Sequence, residues 1–144
     1  MEFVTLEFES CLYRQAIALR DELLRAPLGL IFTEEDLQAE WDQLHFGATT
    51  DESLIACALI VRLSEMSAKL RQMAVRTSHQ RKGVGKFLIQ SIESELLERG
   101  FRQIELNARD VAVGFYEKLG YTKVGEPFIE VKIPHWKMTK ILAV

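Results

Sequence analysis

SHQRKGVGKFLIQSIESELLERG, residues 78–100, is the stretch on which the reading of this chain turns. Gly83 and Gly85 flank Val84 directly ahead of an amphipathic segment. Phe87, Leu88, Ile92 and Leu96 fall on one helical stripe, with Lys86, Gln90, Glu93 and Glu98 elsewhere. This spacing predicts a helix after Gly85, with Gly100 ending it in a left-handed conformation. Upstream, Leu70-x-x-Met73-x-Val75 predicts a strand running into the glycines. In a strand–glycine loop–helix unit, unpaired amides and the helix dipole both point at an anion. A glycine lets that anion approach the backbone closely. An ordinary helix entry uses the same residues, so spacing has to decide. A Walker A loop would need Gly at 80 and Ser or Thr after Lys86, where the chain has Gln80 and Phe87. A dinucleotide fingerprint would need Gly or Ala at 88, where the chain has Leu88. Both fail.

The flanking elements follow from periodicity. Met1 to Phe8 alternates with period two, as a strand does and a signal peptide does not. Ser10 caps a predicted helix with Leu12, Ala16, Leu19 and Leu23 inward, stopped by Pro27 and Gly29. Thr33-x-x-Asp36 resembles a capping box and opens a second helix carrying Leu37 and Trp41. A short strand is expected near residues 44–50, and the apolar run Leu54–Val61 predicts a strand covered on both faces. After the glycine-loop helix come a strand over Phe101–Asn107 and a short helix over Val111–Leu119 closed by Gly120. Strands over Tyr121–Val124 and Ile133–Leu142 complete the chain, the last expected to break near Pro134. The result is a mixed sheet with helices on both faces.

Composition excludes several classes. The chain has 144 residues, 48% hydrophobic and 27% charged, which suits one folded domain over residues 1–144. A net charge of −3 offers no general attraction to nucleic acid or anionic lipid. No apolar run approaches the ~20 residues of a membrane span. Arg81, Lys82 and Lys86 lack the interleaved aromatics of a nucleic-acid patch. Three histidines lie far apart without metal-ligand spacing, so no metal site is expected. Cys11 and Cys57 read as reduced thiols of a cytoplasmic protein, Cys57 as a buried and inert one.

Gln80-x-x-Gly83-x-Gly85 resembles the pyrophosphate-binding signature Q/R-x-x-G-x-G/A of the GNAT superfamily of acyl-CoA-dependent N-acyltransferases. Ala112-Val-Gly-Phe-Tyr-Glu-Lys-Leu-Gly-Tyr121 resembles that family's second motif, A-x-x-F/L-Y-E-K-L-G-F/Y, at the usual distance downstream. Leu106-Asn-Ala-Arg109 between them is similar to a linker of one branch. One position departs: many members carry Asn seven residues before the motif tyrosine, and here Arg109 stands there. That contact is therefore not carried over to Arg109.

The resemblance implies an α/β (α+β) fold with a mixed, mostly antiparallel sheet of about six to seven strands and four flanking helices. It also implies acetyl-CoA as cosubstrate and transfer of its acetyl group to a primary amine by direct attack in a ternary complex. The amides of Arg81, Lys82, Gly83, Val84, Gly85 and Lys86 would cradle the pyrophosphate, and the main chain of Met73, Ala74 and Val75 would pair with the pantetheine arm. The strands after residues 75 and 107 would splay to admit the thioester. Asn107 and Phe115 would border the cofactor. Tyr116 would protonate the departing thiolate, since a phenol of pKa ~10 holds its proton at pH 7. Core packing alone also explains the side chains of Met73 and Val75. Base candidates for the amine are Glu105, Glu130, His45 and His135. His135 comes first because an imidazole of pKa ~6.5 suits the task, although ordering a bend explains it too. Acceptor recognition is expected from Leu28–Trp41 and Phe128–Trp136. Glu34, Glu35, Asp36 and Glu40 read better as a solvated face than as an amine site. The partner is a small-molecule or peptide amine, and a homodimer is compatible with the sequence. The rivals are a non-catalytic acyl-CoA-binding module on the same fold and an interaction protein in which the glycines serve only the helix entry.

Overall fold

The computed structural model describes residues 1–29 and 33–142. Its strands are β1 (Glu2–Thr5), β2 (Leu44–Thr50), β3 (Ser53–Arg62), β4 (Ser67–Val75), β5 (Gln103–Arg109), β6 (Thr122–Glu130) and β7 (Ile133–Ile141). The α-helices are α1 (Cys11–Arg20), α2 (Glu34–Gln38), α3 (Val84–Glu98) and α4 (Val113–Lys118). All strands form one sheet in the order β1-β2-β3-β4-β5-β7-β6. Among the described residues only the β4–β5 pair is parallel; α3 makes the crossover that a parallel pair requires. The expected order of elements and the mixed, mostly antiparallel sheet are both found.

The helix boundaries follow from local chemistry. Ser10 Oγ accepts the Tyr13 amide at 3.2 Å and caps α1. Past Arg20 the helix widens into a π turn over Asp21–Arg25, then a tight turn over Ala26–Leu28 ends at Gly29 with φ 72°. The capping box is reciprocal: Asp36 Oδ2 accepts the Thr33 amide and Thr33 Oγ1 accepts the Asp36 amide, both at 3.0 Å. Helix α2 stops at Gln38, so Trp41 lies beyond it. The C-terminus of α3 closes as a Schellman motif, with the Phe101 amide on the Leu96 carbonyl and the Gly100 amide on that of Leu97.

Two apolar clusters cover the faces of the sheet. Leu88, Ile89, Ile92 and Leu96 of α3 pack on Phe46, Ile60, Leu70, Ile104 and Leu106. On the other face, Ala16 and Leu19 of α1 pack on Leu6, Leu54, Cys57 and Ala74. This two-sided cover is why Leu54–Val61 lacks alternation. Across β5 and β7 the first face is apolar, while on the second Gln103, Glu105, Asn107 and Arg109 stay half-buried.

Two strand expectations also change. Strand β7 is continuous through Pro134, which sits opposite Ile129 ahead of the first β5 pair at His135. A missing amide costs a ladder bond only where a strand waits for it, and β5 has ended there. Strand β6 runs six residues beyond Val124, to Glu130, with its register shifting between Val124 and Phe128.

A small polar network locks α3 to the end of α4. Glu93 accepts the Tyr121 hydroxyl at 2.9 Å and the Lys140 ammonium at 2.9 Å; Lys140 also donates to the Leu119 carbonyl at 2.7 Å. Tyr121 is buried and its ring meets Tyr116 edge-on at 5.8 Å. Tyr121→Phe is expected to cost about 1–2 kcal/mol, the worth of a bond to a carboxylate that keeps its second partner. Urea denaturation measures it, and an unchanged midpoint would count against the network.

Candidate active site

Strands β4 and β5 pair only from Ser67↔Gln103 to Leu70↔Leu106. Beyond Leu70 and Leu106 they part, five residues earlier on β4 and one residue earlier on β5 than the expected split after residues 75 and 107. The cause is a bulge. Against β3, Cys57 faces Ala74 and Leu59 faces Arg71, so Gln72 and Met73 together oppose Ala58. Gln72 takes φ 55°, a costly conformation for a residue with a side chain. A cleft of about 450 Å³ opens between the strands, with Met73, Asn107, Tyr116, Glu130 and His135 among its lining residues.

The glycine loop lies at the end of β4. Gln80 Nε2 donates to the Val75 carbonyl at 2.9 Å and pins the loop to the strand. The two glycines are required for different reasons. Gly83 has φ 81° with open space around its missing Cβ, so its need is conformational. A Cβ on Gly85 would stand 3.1 Å from Phe115 Cζ and 3.2 Å from Met73 Cε, so its need is room. The first intrahelical bond of α3 runs from the Phe87 amide to the Gly83 carbonyl, leaving the amides of Val84, Gly85 and Lys86 unpartnered within the helix. With the Arg76 amide bonded to Ile55 of β3, strand alternation turns the main-chain groups of Val75 and Met73 toward the gap left by β5. Val75 and Met73 side chains pack on the α3-side cluster, whereas Ala74 points to the α1 side.

Helix α4 presents Tyr116 to the cleft. Its hydroxyl lies 3.9 Å from Met73 Sδ, and its ring meets Phe115 edge-on at 5.0 Å. Burial pushes the phenol up from 10.0 to about 12, so the protonated form prevails. Phe115 is 39% exposed and lies outside the buried core.

Across the cleft, Asn107 Nδ2 donates to Glu130 Oε1 at 3.3 Å, and His135 Nε2 stands 3.6 Å from Glu130 Oε2. His135 is buried, stacked 6.0 Å from Phe128, with Nδ1 2.8 Å from the Ile133 carbonyl. A carbonyl only accepts, so Nδ1 carries the hydrogen and Nε2 is the basic nitrogen of the neutral ring. The other base candidates lie elsewhere. Glu105 is 3.7 Å from Lys137 Nζ. His45, on β2, is buried with Nε2 3.0 Å from the Glu40 carbonyl and Tyr13 edge-on at 5.2 Å; burial lowers its pKa.

The acidic residues in and just after α2 divide. Asp36 belongs to the capping box, and Glu40 is buried in an ion pair with Arg20 at 2.9 Å. Residues 30–32 of the expected acceptor segment, and the side chains of Leu28, Glu34 and Glu35, lie outside the described residues. Leu24, Arg25, Arg71, Gln72 and Arg109 line the cleft without having been singled out as binding residues. A strand bulge at a glutamine carries no sequence signal, whereas the departure from Asn at Arg109 was one.

Burial also pushes the Cys57 thiol from 9.0 to about 12, partly offset by Arg20 and a backbone bond to Ala74. Tyr121 is raised further still by burial and then by Glu93. Each of these groups holds its proton more tightly folded than unfolded. Their stabilisation is complete below the unfolded pKa values and is lost as pH climbs through the folded ones. The urea midpoint is expected to fall progressively from about pH 9 to about pH 12. Cys57→Ala removes the earliest part of the fall; a flat profile would contradict the burial of these groups.

Comparison with known proteins agrees with this geometry. The family model described as an acetyltransferase (GNAT) domain matches residues 18–142. The uncharacterized N-acetyltransferase YitI of Bacillus subtilis is 37% identical over 90 residues, covering 58% of this chain and 60% of its own. YjcF of the same organism, of the same description, is 35% identical over 80 residues, 55% and 57% of the two chains. The chain spans about half the length of the first curated relatives it matches. An aminoglycoside 6'-N-acetyltransferase complexed with coenzyme A superposes with a TM-score of 0.83 at 16% identity, covering 100% of this chain and 98% of that one. The Escherichia coli ribosomal-protein-S18-alanine N-acetyltransferase superposes with a TM-score of 0.78 at 20% identity, covering 99% and 96%. At these identities the superpositions speak for the fold, and the family model carries the relationship. With split strands and a motif tyrosine at one cleft and a glycine loop at the end of β4, this chain belongs to the GNAT acetyltransferase family.

Proposed function

We propose that the protein transfers an acetyl group from acetyl-CoA to a primary amine by direct attack in a ternary complex. The observation that carries this reading is the position of Tyr116: its hydroxyl borders the cleft where β4 and β5 part, beside Met73 and the start of α3. The unpartnered amides at the start of α3, with Arg81, Lys82 and Lys86, suit a pyrophosphate. The gap-facing main chain of Met73 and Val75 suits the amides of a pantetheine arm; the Val75 carbonyl is already held by Gln80.

In the reaction the amine nitrogen attacks the thioester carbonyl carbon, the C–S bond breaks, and the thiolate takes the Tyr116 proton. An amine of pKa ~10.4 is neutral in only about one molecule in ~2,500 at pH 7, so its proton needs a destination. His135 Nε2, oriented by the Ile133 carbonyl and facing Glu130, fills that role from the opposite wall. The names of the structural neighbours place an aminoglycoside and a ribosomal-protein alanine on one fold, so the fold does not choose the acceptor.

Calorimetry with coenzyme A, followed by thiol release from acetyl-CoA across an amine panel, tests the proposal. Binding with turnover is expected. Tight binding without turnover on any amine would favour the non-catalytic acyl-CoA module, and absence of binding would remove both readings.

A further inference from the structure

The chain is acidic overall, with a net charge of −3, yet the charges around its cleft run the other way. Arg25, Lys69, Arg71 and Arg109 line it against a single carboxylate, Glu130. Glu130 is already engaged, accepting from Asn107 and facing His135. Lys69, Arg71 and Arg109 make no side-chain hydrogen bond or ion pair among the described residues, although all three are half-buried. Lys69 stands across the β4–β5 pair from Glu105, which also faces Lys137 at 3.7 Å. Arg71 and Arg109, in a concave and partly desolvated wall with no carboxylate bonded to them, raise a local positive potential that favours an anion there.

Their side of the sheet tells which ligand they face. Leu70, Leu106 and Ala108 point into the cluster beneath α3. By the two-residue period of a strand, Lys69 and Arg71 on β4, and Asn107 and Arg109 on β5, point to the opposite face. Arg71 is the first β4 residue past the last β5 pair, and Arg109 lies opposite His135. The glycine loop and its own cations open α3, on the other face. A cofactor phosphate therefore has separate partners, and the Lys69–Arg71–Arg109 group is left to the molecule entering beside His135 and Glu130. Gln72, between these elements, adds a buried Oε1 without a hydrogen-bond partner, available to an N–H of that molecule.

We propose that the acceptor is a small amine that also carries an anionic group, a carboxylate or a phosphate. Arg71, Arg109 and Lys69 hold the anion while Glu130 and His135 receive the amine. Guanidinium groups pair with either anion in a two-pronged manner, so the chemistry is shared by both sources. The inference rests on the transferase reading only for the word acceptor; the anion site stands on the charges alone.

The test titrates coenzyme A-saturated protein calorimetrically with matched probes: β-alanine against β-alaninamide, phosphoethanolamine against ethanolamine, and spermidine as a polycation. At least one anionic member is expected to bind about tenfold or more tightly than its neutral partner, and the better of the two names carboxylate or phosphate. Arg71→Gln and Arg109→Gln are each expected to collapse that ratio while coenzyme A affinity and the near-ultraviolet circular dichroism are retained. Equal binding of charged and neutral partners, preference for spermidine, or no binding of any anionic amine would overturn the inference. So would loss of coenzyme A affinity in both variants, which would give the cations to the cofactor. Anionic amines that bind, with no thiol release from acetyl-CoA on any amine of the panel, would instead overturn the transferase reading and leave the anion site standing.

Discussion

Tyr116→Phe is expected to lower kcat by about 10²-fold, with KM for acetyl-CoA changed less than about twofold, because general acid catalysis contributes roughly 10²–10⁴. The substitution keeps the ring, and with it the edge-on contacts to Phe115 and Tyr121, and removes only the hydroxyl. That hydroxyl's one hydrogen-bond partner is a thioether sulfur at 3.9 Å, a weak acceptor, so its loss costs little stability. A tenfold change in rate corresponds to about 1.4 kcal/mol of barrier, so the effect lies far above any packing change. Because burial raises the phenol to about 12, the rate carried by the acid form should not decline between pH 8 and 10 from Tyr116 ionisation. Steady-state kinetics on the variant decides the matter: unchanged kcat would take Tyr116 out of the reaction.

Gly85→Val is expected to weaken coenzyme A binding by about 10²-fold, or roughly 2.7 kcal/mol, while the domain stays folded. A Cβ at this position presses on Phe115 Cζ at 3.1 Å and Met73 Cε at 3.2 Å. Both are the far ends of side chains, and Phe115 is partly exposed, so they can move aside. Moving aside is the damage, because Phe115 and Met73 flank the amides of α3 and the gap-facing strand backbone. A valine also stands its branches beside the unpartnered amides. Calorimetry with coenzyme A and a thermal melt run together separate the outcomes. Affinity within about twofold of the parent would show that the loop does not hold the cofactor.

Most of the fold was legible because its signals are local. Ser10, the Thr33–Asp36 box and Gly100 each mark a helix boundary through bonds that close within a few residues. The apolar run of β3 and the stripe of α3 report burial through period alone. Errors came where a distant strand decides. Pro134 looked like a break because the end of β5 was invisible, and His45 stood among the base candidates because nothing nearby announces Tyr13, Phe8 and the Glu40 carbonyl around it. Asp36 and Glu40 looked alike, yet one closes a capping box and the other a buried ion pair.

By itself the sequence determined the order of the elements, the glycine loop at the start of α3 and the motif tyrosine on α4, since these depend on spacing along the chain. Only the tertiary structure decided that β4 and β5 part at Leu70 and Leu106, through a bulge at Gln72 and Met73 that no residue type advertises. It also gave Gly83 and Gly85 separate reasons, one a backbone angle and one a distance to Phe115 and Met73. The gathering of Lys69, Arg71 and Arg109 opposite a single engaged carboxylate was likewise settled in space. Charge along a chain averages to a net value, whereas a cleft samples only the side chains that two diverging strands turn toward it.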